Sequence, residues 1–597
     1  MLYTHSGLIL IYLFVFTCNA FAQSPHNLRG DPVYHTFDRM DILRRSDTSL
    51  VSSINNFNRK ETVRYFQNLW NNDALSARDR YDLLHVFRDN IEFFPTSEEQ
   101  QSSETPSDNG LFSNKSDIPD TAISAVTRKY LTRSPFLKYF YKSYANFLEL
   151  ETPSFSMYIN PVLHVQYGKE QGNESPVFQN TRGLDLRAYI DDKVYVYLQL
   201  LENQRSFLNY QNERISRFNS LPGNGLYKGF ESSVMEKLKG FDYFNAKAYV
   251  GFNATKSINV EFGHGNHFIG NGFRSLLLSD FSHNYFYLKL NTRIWKFQYQ
   301  NIFAELTPAS VNSIPGDVLI PKKYKATHYL AFLPNSNFEI GLFETVIFGR
   351  EKFFELQYLN PVILYRSVEH SLGSPDNVML GLNLKWNFIR SLSVYGQLIL
   401  DEFKLDELRE RTGWWANKIG YQAGLKYINV LGIDHLDAQI EYNKARPYTY
   451  THRDTLSVGT NISLANYSHF SQPLAHPLGA NFSETVLLMR YRPASRWMLS
   501  GRLLLTDWGD DRPGQNWGGN VLIPHGSRER EYGNFTGQGK NTRITAAYFD
   551  LQYEFFHNFY ADLNIMRRHT TVEGIRQNST FIGGGIRVNI AAQNFDY

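Results

Sequence analysis

Four tryptophans lie in polar, glycine-rich connecting stretches: the pair Trp414-Trp415, then Trp508 and Trp517, the last two close to Asp507, Asp510, Asp511 and Arg512. Sugar rings stack on flat aromatic faces while neighbouring polar groups hydrogen-bond their hydroxyls, so this mixture suits contact with a glycan. The competing reading makes the same indoles girdle or loop-packing residues. Other groups of chemical type offer less. GNFTGQGKN, Gly533 to Asn541, has one residue too many between its glycines for a phosphate loop, and Asn541 stands where Ser or Thr is needed. His264 and His267, in GHGNH, have metal-like spacing but no third ligand in sight, and read as ordinary loop histidines. No Ser-His-Asp set or close carboxylate pair stands out, so the expectation is no enzyme, no catalytic residues, no metal and no cofactor.

These residues need a frame, and hydrophobic alternation supplies one. In Asp376 to Phe403, DNVMLGLNLKWNFIRSLSVYGQLILDEF, Leu380, Leu382, Leu384, Trp386 and Phe388 share one face, and Gly381, Asn383, Lys385 and Asn387 the other. After a turn at Ile389-Arg390-Ser391, the return arm sets Leu392, Val394, Leu398 and Leu400 against Ser393, Tyr395 and Gln397. Period-two alternation of this kind marks a β-hairpin with one apolar and one polar face. Trp295, Phe297 and Tyr299 alternate likewise with Lys296, Gln298 and Gln300. Leu436, Ala438, Ile440 and Tyr442 alternate with Asp437, Gln439 and Glu441, and Phe549, Leu551, Tyr553 and Phe555 with Asp550, Gln552 and Glu554. The charged side chains fall opposite the apolar face, where a barrel has its lumen.

Such arms recur from near Phe155 to the C-terminus. Tight links at Asp191-Asp192, Ala254-Thr255-Lys256, Asn291-Thr292, Pro334-Asn335-Ser336, Ile389-Arg390-Ser391, Val430-Leu431-Gly432, Pro493-Ala494-Ser495 and His557-Asn558 alternate with long polar connections. The longest lie near 203–241, 264–282, 349–375, 446–482 and 508–540. Outer-membrane barrels combine short periplasmic turns with long external loops in this way. The expected fold is all-β: residues 151–597 form a transmembrane antiparallel β-barrel of about 18 strands, with both chain ends facing the periplasm. The terminal Tyr597, with Phe595 before it, resembles the aromatic signature by which such barrels are recognised for assembly. Its parity is opposite to that of Ile586, Val588 and Ile590, which calls for a bulge near Ala591-Ala592 or a short tail.

Composition agrees. Aromatics make up 15% of the 597 residues, with 45 Phe and 38 Tyr, the usage that interfacial aromatic girdles require. A net charge of +3 gives no ground for a nucleic-acid partner. Residues 1–22 read as a cleavable secretory signal: Gly7 to Phe16 is apolar and Ala20-Phe21-Ala22 is a small-x-small cleavage site. The one cysteine, Cys18, lies inside it, which excludes disulfides and a catalytic thiol from the mature chain. No later run reaches the roughly 18 apolar residues of a spanning helix. Residues 23–150 have helical texture, with a Ser76–Asp79 capping box ahead of Leu83, Phe87, Ile91 and Phe94. A polar linker near 96–118 follows, then a second helix start at Ser134-Pro135 opening FLKYFYKSYANFLE. Such a segment can pack beneath a barrel, plug it, or dock a periplasmic partner.

Two stretches carry a resemblance. GHGNHFIGNGFRSLLLSD, Gly263 to Asp280, and YLNPVILYRSVEHSLGSPDN, Tyr358 to Asn377, resemble gliding motility proteins of the RemB type and, more distantly, the Wzi family of capsule-assembly outer-membrane barrels. The resemblance spans roughly 155–597. Its Wzi side implies an eighteen-stranded barrel that assembles or holds capsular polysaccharide at the surface. Its RemB side implies a part in the gliding of Bacteroidota-like bacteria. The Wzi-type glycine loop usually carries a tryptophan, whereas here Phe268-Ile269 precedes Gly270. Arg274, Arg366, Glu369 and His370 lie within the matching stretches and are expected to make lumen or glycan contacts, against the reading that they pair as charges across the barrel interior. The function expected is non-enzymatic: an outer-membrane barrel for surface polysaccharide assembly or attachment, and for gliding motility, with outer-membrane lipid, surface polysaccharide and a periplasmic or motility protein as partners. The alternative is a porin or uptake channel, which needs an open lumen where an assembly protein is expected to be plugged.

Overall fold

The computed structural model describes residues 24–44, 50–70, 72, 74–94, 141–191, 193–232, 238–309, 320–350, 354–362, 364–374, 376–453, 463–593 and 596–597. The expected signal, the linker near 96–118, the helix start at Ser134-Pro135 and Phe595 lie outside them.

Eighteen antiparallel strands close into a barrel. They are β1 Phe155–Glu170, β2 Val177–Ile190, β3 Val194–Arg205, β4 Lys239–Asn253, β5 Ile258–Gly265 and β6 Tyr285–Ile294. Next come β7 Phe297–Leu306, β8 Lys323–Asn335, β9 Phe338–Gly349, β10 Asn377–Ile389, β11 Leu392–Leu400 and β12 Ile419–Tyr427. The last six are β13 Leu436–Ala445, β14 Phe482–Tyr491, β15 Trp497–Asp510, β16 Lys540–Phe556, β17 Phe559–Val572 and β18 Ile575–Val588. Each pairs with its neighbours in sequence, and β18 pairs with β1 from Leu163↔Val588 to Glu170↔Phe581, closing the ring without a free edge. Alternation sets the faces. Asn383, Lys385, Asn387, Ser393, Tyr395 and Gln397 are buried in the lumen, while Leu380 and Trp386 project outward. Outward residues elsewhere, among them Phe262, Phe286, Leu342, Ile440, Met489, Phe549 and Ile582, form the apolar exterior that lipid requires.

Two local expectations are corrected. Asn291-Thr292 is not a turn: β6 continues through Ile294↔Phe297, and Trp295-Lys296 turns the chain with Trp295 at φ +53°. Asn tolerates left-handed backbone and so mimics a turn signal, but the pairing of Arg293 with Gln298 extends the ladder past it. Nor is 141–149 helical. Asn146 N–H donates to Ser143 Oγ at 3.1 Å, bending the chain, and Leu148–Thr152 pairs with β1 below the point where β18 stops.

At the short-turn end, the periplasmic one for this class, three helices fill the mouth: α1 Pro32–Arg44, α2 Arg59–Trp70 and α3 Ala77–Asp89. Ser76 and Asp79 make the reciprocal capping box that starts α3. Phe37, Phe66, Leu69, Leu83, Phe87, Ile91 and Phe94 form the helices' own core, which continues onto the lumen-facing Tyr158, Tyr189 and Tyr195. Polar attachments ring the wall. Lys385 Nζ donates to Asp41 at 2.7 Å, Lys426 Nζ to Asp38 at 2.6 Å, and Glu339 accepts the Ser52 and Ser53 amides at 3.0 and 3.1 Å.

Above the helices, the 266–284 connection folds into the lumen. Ile269, Leu276, Leu277 and Leu278 are fully buried there in the largest apolar cluster. A buried loop must satisfy its backbone, and lumen side chains do so. Gln397 accepts the Leu276 amide at 2.8 Å, Glu441 accepts those of Phe273 and Arg274 at 2.7 and 3.0 Å, and Tyr450 and Tyr467 donate to the Leu276 and Leu277 carbonyls. Gly272 fits because a Cβ there would stand 2.4 Å from Glu441 Oε2.

The parity conflict at the C-terminus resolves as a tail. After Val588 the chain leaves the wall and turns into the lumen. Asp596 accepts from Arg502 at 2.5 Å, and Tyr597 lies buried with Tyr210 and Phe281 edge-on to its ring.

Candidate functional site

The expected site residues fall into three places. Arg274 is in the lumen, on the infolded loop. Its guanidinium donates through Nε and Nη2 to the two oxygens of Glu484, both at 3.2 Å, and through Nη2 to the Asp596 carbonyl at 2.5 Å. Burial works against its charge, but Glu484 and Asp596 override it and hold the pKa above the ordinary arginine value. Arg274 is thus a buried latch joining infolded loop, wall and C-terminal tail.

Arg366, Glu369 and His370 are not in the lumen, and the lumen half of the expectation of lumen or glycan contacts is corrected. They sit on α4, Tyr365–Leu372, in a connection that folds over the outside of the wall. Tyr358, Tyr365 and Val368 pack on Phe303, Tyr324, Ala326, Val346, Phe348 and Val378, all on the outward side of β7 to β10 by register. This flap covers His328 and Glu344, polar residues that would otherwise meet lipid; the Tyr365 ring is 4.0 Å from the His328 ring. The Arg366 side chain is mostly exposed and meets Glu369 at 2.7 Å, while its amide donates to Glu344 at 3.3 Å. The sequence showed a long polar connection, 349–375, between two strands and nothing to say on which side of the wall it lies.

The tryptophans gather at the outer end, where three connections, 401–418, 446–481 and 511–539, interlock into a cap. Trp415 N–H donates to the Glu531 carbonyl at 2.9 Å, Asn534 N–H to that of Gly413 at 2.9 Å, and Tyr448 N–H to that of Gly518 at 3.0 Å. Trp415 is hemmed in by the His525 ring at 4.6 Å and the Arg528 guanidinium at 4.2 Å. Burial and the neighbouring Lys418 push His525 down to about 2, so that ring is neutral. Asp511 organises its loop by accepting the Trp517 amide at 2.5 Å and the Asn520 amide at 2.9 Å. Trp517 donates its indole N–H to Gln515 at 2.8 Å and carries Arg530 over its ring at 4.8 Å. Trp508, on the lumen side of β15, packs beneath the cap near Arg217. Trp414 and Trp517 are partly buried, and Tyr532 and Phe535 on the same cap are 53% and 58% exposed. Those last two were missed in the sequence; an aromatic pair within the polar run EYGNFTG was the available signal.

Beside the plug, from the infolded loop down to the short turns, the lumen holds a cavity of about 660 Å³ lined by Lys247, Arg490, Arg496, Asp31, Asp38 and Gln552 among others. His264 and His267 serve structure: His264 Nδ1 meets the Ala246 carbonyl and His267 Nδ1 the Tyr285 hydroxyl. Among the described residues, two clusters have metal-ligand composition. In Asp79, Asp434 and His435 a cation is already supplied, since Arg39 stands 3.2 Å from Asp79 and 3.9 Å from Asp434. The second, His85, Glu554 and His557, lies where α3 meets the turn between β16 and β17.

Among solved structures, the chain is similar to Wzi, described as an outer membrane protein involved in group 1 capsule assembly in Escherichia coli and a carbohydrate-binding β-barrel. That match has a TM-score of 0.55 and 12% identity over 96% of this chain and 100% of that one. At this identity the likeness speaks for the fold alone. The outer membrane protein OprD of Pseudomonas aeruginosa follows at TM-score 0.39 and 9% identity, over 72% of this chain and 93% of that one. OpdK of Pseudomonas aeruginosa, with vanillate, has TM-score 0.40 and 8% identity over 72% and 98%. Neither of these two bears on the argument. No curated protein sequence matches. Residues 155–504, more than half of the 597-residue chain, match the capsule assembly protein Wzi family, and the chain belongs to that family.

Proposed function

We propose that this protein is a plugged, non-catalytic outer-membrane barrel that holds surface polysaccharide on its outer cap. The observation that carries this reading is the cap itself: three interlocked loops that present Trp414, Trp517, Tyr532 and Phe535 as partly or largely exposed faces beside Arg530 and Glu531. Rigid aromatic faces with adjacent hydrogen-bonding groups are what a sugar chain needs, and membership of a capsule-assembly family supports that ligand class. The helices in the periplasmic mouth and the apolar loop core above them favour this reading over a porin. On the RemB-type resemblance, the retained polysaccharide would also serve gliding.

The test pairs planar-bilayer conductance with glycan retention on cells or on immobilised barrel. The barrel is expected to be electrically silent and to bind the polysaccharide of its own cell surface. Trp414→Ala and Phe535→Ala should each weaken binding by about three- to tenfold, the value of one stacked aromatic face. Large steady conductance, or binding untouched by both substitutions, overturns the reading.

A further inference from the structure

His85, Glu554 and His557 are each buried and come from two separate parts of the chain, the plug helix α3 and the β16–β17 turn. Glu554 Oε1 lies 3.0 Å from His85 Nε2 and 4.0 Å from His557 Nδ1. Ligand atoms held at 2.0–2.1 Å by one tetrahedral zinc ion stand roughly 3.3 Å apart, between these two separations. The outward nitrogens of both rings face one carboxylate: His557 Nε2 is 2.8 Å from Asp89 Oδ1 and His85 Nδ1 is 3.3 Å from Asp89 Oδ2. A carboxylate that takes the outer N–H of a metal-binding imidazole fixes its tautomer and aims the other nitrogen inward. Here one aspartate does this for two rings whose centroids are 4.3 Å apart. Two inward lone pairs and a carboxylate oxygen repel one another unless a cation sits among them.

The surroundings fit. Tyr81 donates to Glu554 Oε2 at 2.8 Å and the Asn558 amide to Oε1 at 3.1 Å, which leaves Oε1 one lone pair for the centre, and the Asn558 side chain donates to Asp89 at 2.7 Å. The Tyr560 hydroxyl is 3.2 Å from His85 Nε2, on the side where His85, Glu554 and Tyr560 line the lumen cavity, so a water has access to a fourth position.

We propose that His85, Glu554 and His557 bind a divalent transition-metal ion, zinc by ligand chemistry, that clips the plug to the barrel wall, with Asp89 positioning both imidazoles. Two nitrogens and one carboxylate oxygen suit zinc and not the all-oxygen preference of calcium or magnesium. The rival occupant of the centre is a proton, which would make His85 an imidazolium in a purely ionic bridge.

The test uses tag-free, full-length protein in detergent micelles, stripped with a chelator and titrated calorimetrically with Zn²⁺, with Mg²⁺ as control. Expected are one saturable Zn²⁺ per chain and no response to Mg²⁺. Glu554→Gln and His557→Gln should weaken binding by about 100-fold or more, and Asp89→Asn by about 10- to 100-fold. Co²⁺ added to the stripped wild-type protein should give the visible absorption bands of tetrahedral coordination, a readout that does not depend on any variant folding. Absence of saturable Zn²⁺ uptake, absence of those bands, or uptake undiminished in a folded His557→Gln protein overturns the proposal and leaves the protonated bridge.

Discussion

Arg39 is fully buried and holds two carboxylates brought together from distant parts of the chain. Its Nη1 donates to Asp437 at 2.5 and 2.7 Å and its Nη2 to Asp79 at 3.2 Å. Removing one partner of such a group strands the others without solvent, at about 3–5 kcal/mol. Arg39→Ala is therefore expected to loosen the plug, read as faster amide exchange in α1 and α3 with the strands unaffected. Asp79 adds a pH dependence. Burial works against its charged form, but the hydrogen bond from His435 and the charge of Arg39 override it and hold the carboxyl well below the usual range. Its contribution to docking is complete above the ordinary carboxylate pKa of about 4 and is lost as pH falls through the depressed value. Exchange protection of α3 should thus decline on acidification below about pH 4. In Asp79→Asn, protection should already be lower at neutral pH and should change less with acid. The sequence displayed each of these residues but not their meeting, because His85 and Glu554, or Arg39 and Asp437, are joined only once the barrel closes.

At the scale of elements, the strands were legible and the connections were not. Alternation in Leu380–Phe388 and Leu436–Tyr442 is enforced by lipid on one side and polar lumen on the other, so it is written into every second residue. No such rule says where a loop goes. The run Leu276-Leu277-Leu278 in a polar, glycine-rich connection was the one visible hint that 266–284 turns inward. The stretch around Tyr358 and Tyr365 is equally apolar yet goes outside. Inward placement has a consequence for permeation: replacing 266–284 with a short Gly-Ser linker should give steady ion conductance in a planar bilayer, where the native protein is expected to be silent. A variant that stays silent would mean that the helices alone seal the pore.

At the scale of the molecule, the infolded loop touches both what lies above and what lies below. Below, Gly270 N–H donates to the Ser53 carbonyl at 2.8 Å and Ile269 bridges to Ile54; Arg29 reaches Asp280 at 2.5 Å. Above, Ser279 N–H donates to the Leu474 carbonyl at 2.8 Å, in the loop that carries the Tyr448 edge of the cap. Cap, loop and plug thus form one continuous column down the barrel axis, bonded sideways to the wall at each level. If the cap holds a polysaccharide as proposed, a strand pulled by flow at the cell surface exerts a force that this column would divide among many short bonds loaded at once. On that reading the arrangement is that of a mooring post set through the membrane, whose hold on a dragged chain would depend on how deep its footing reaches as well as on how tightly the cap grips.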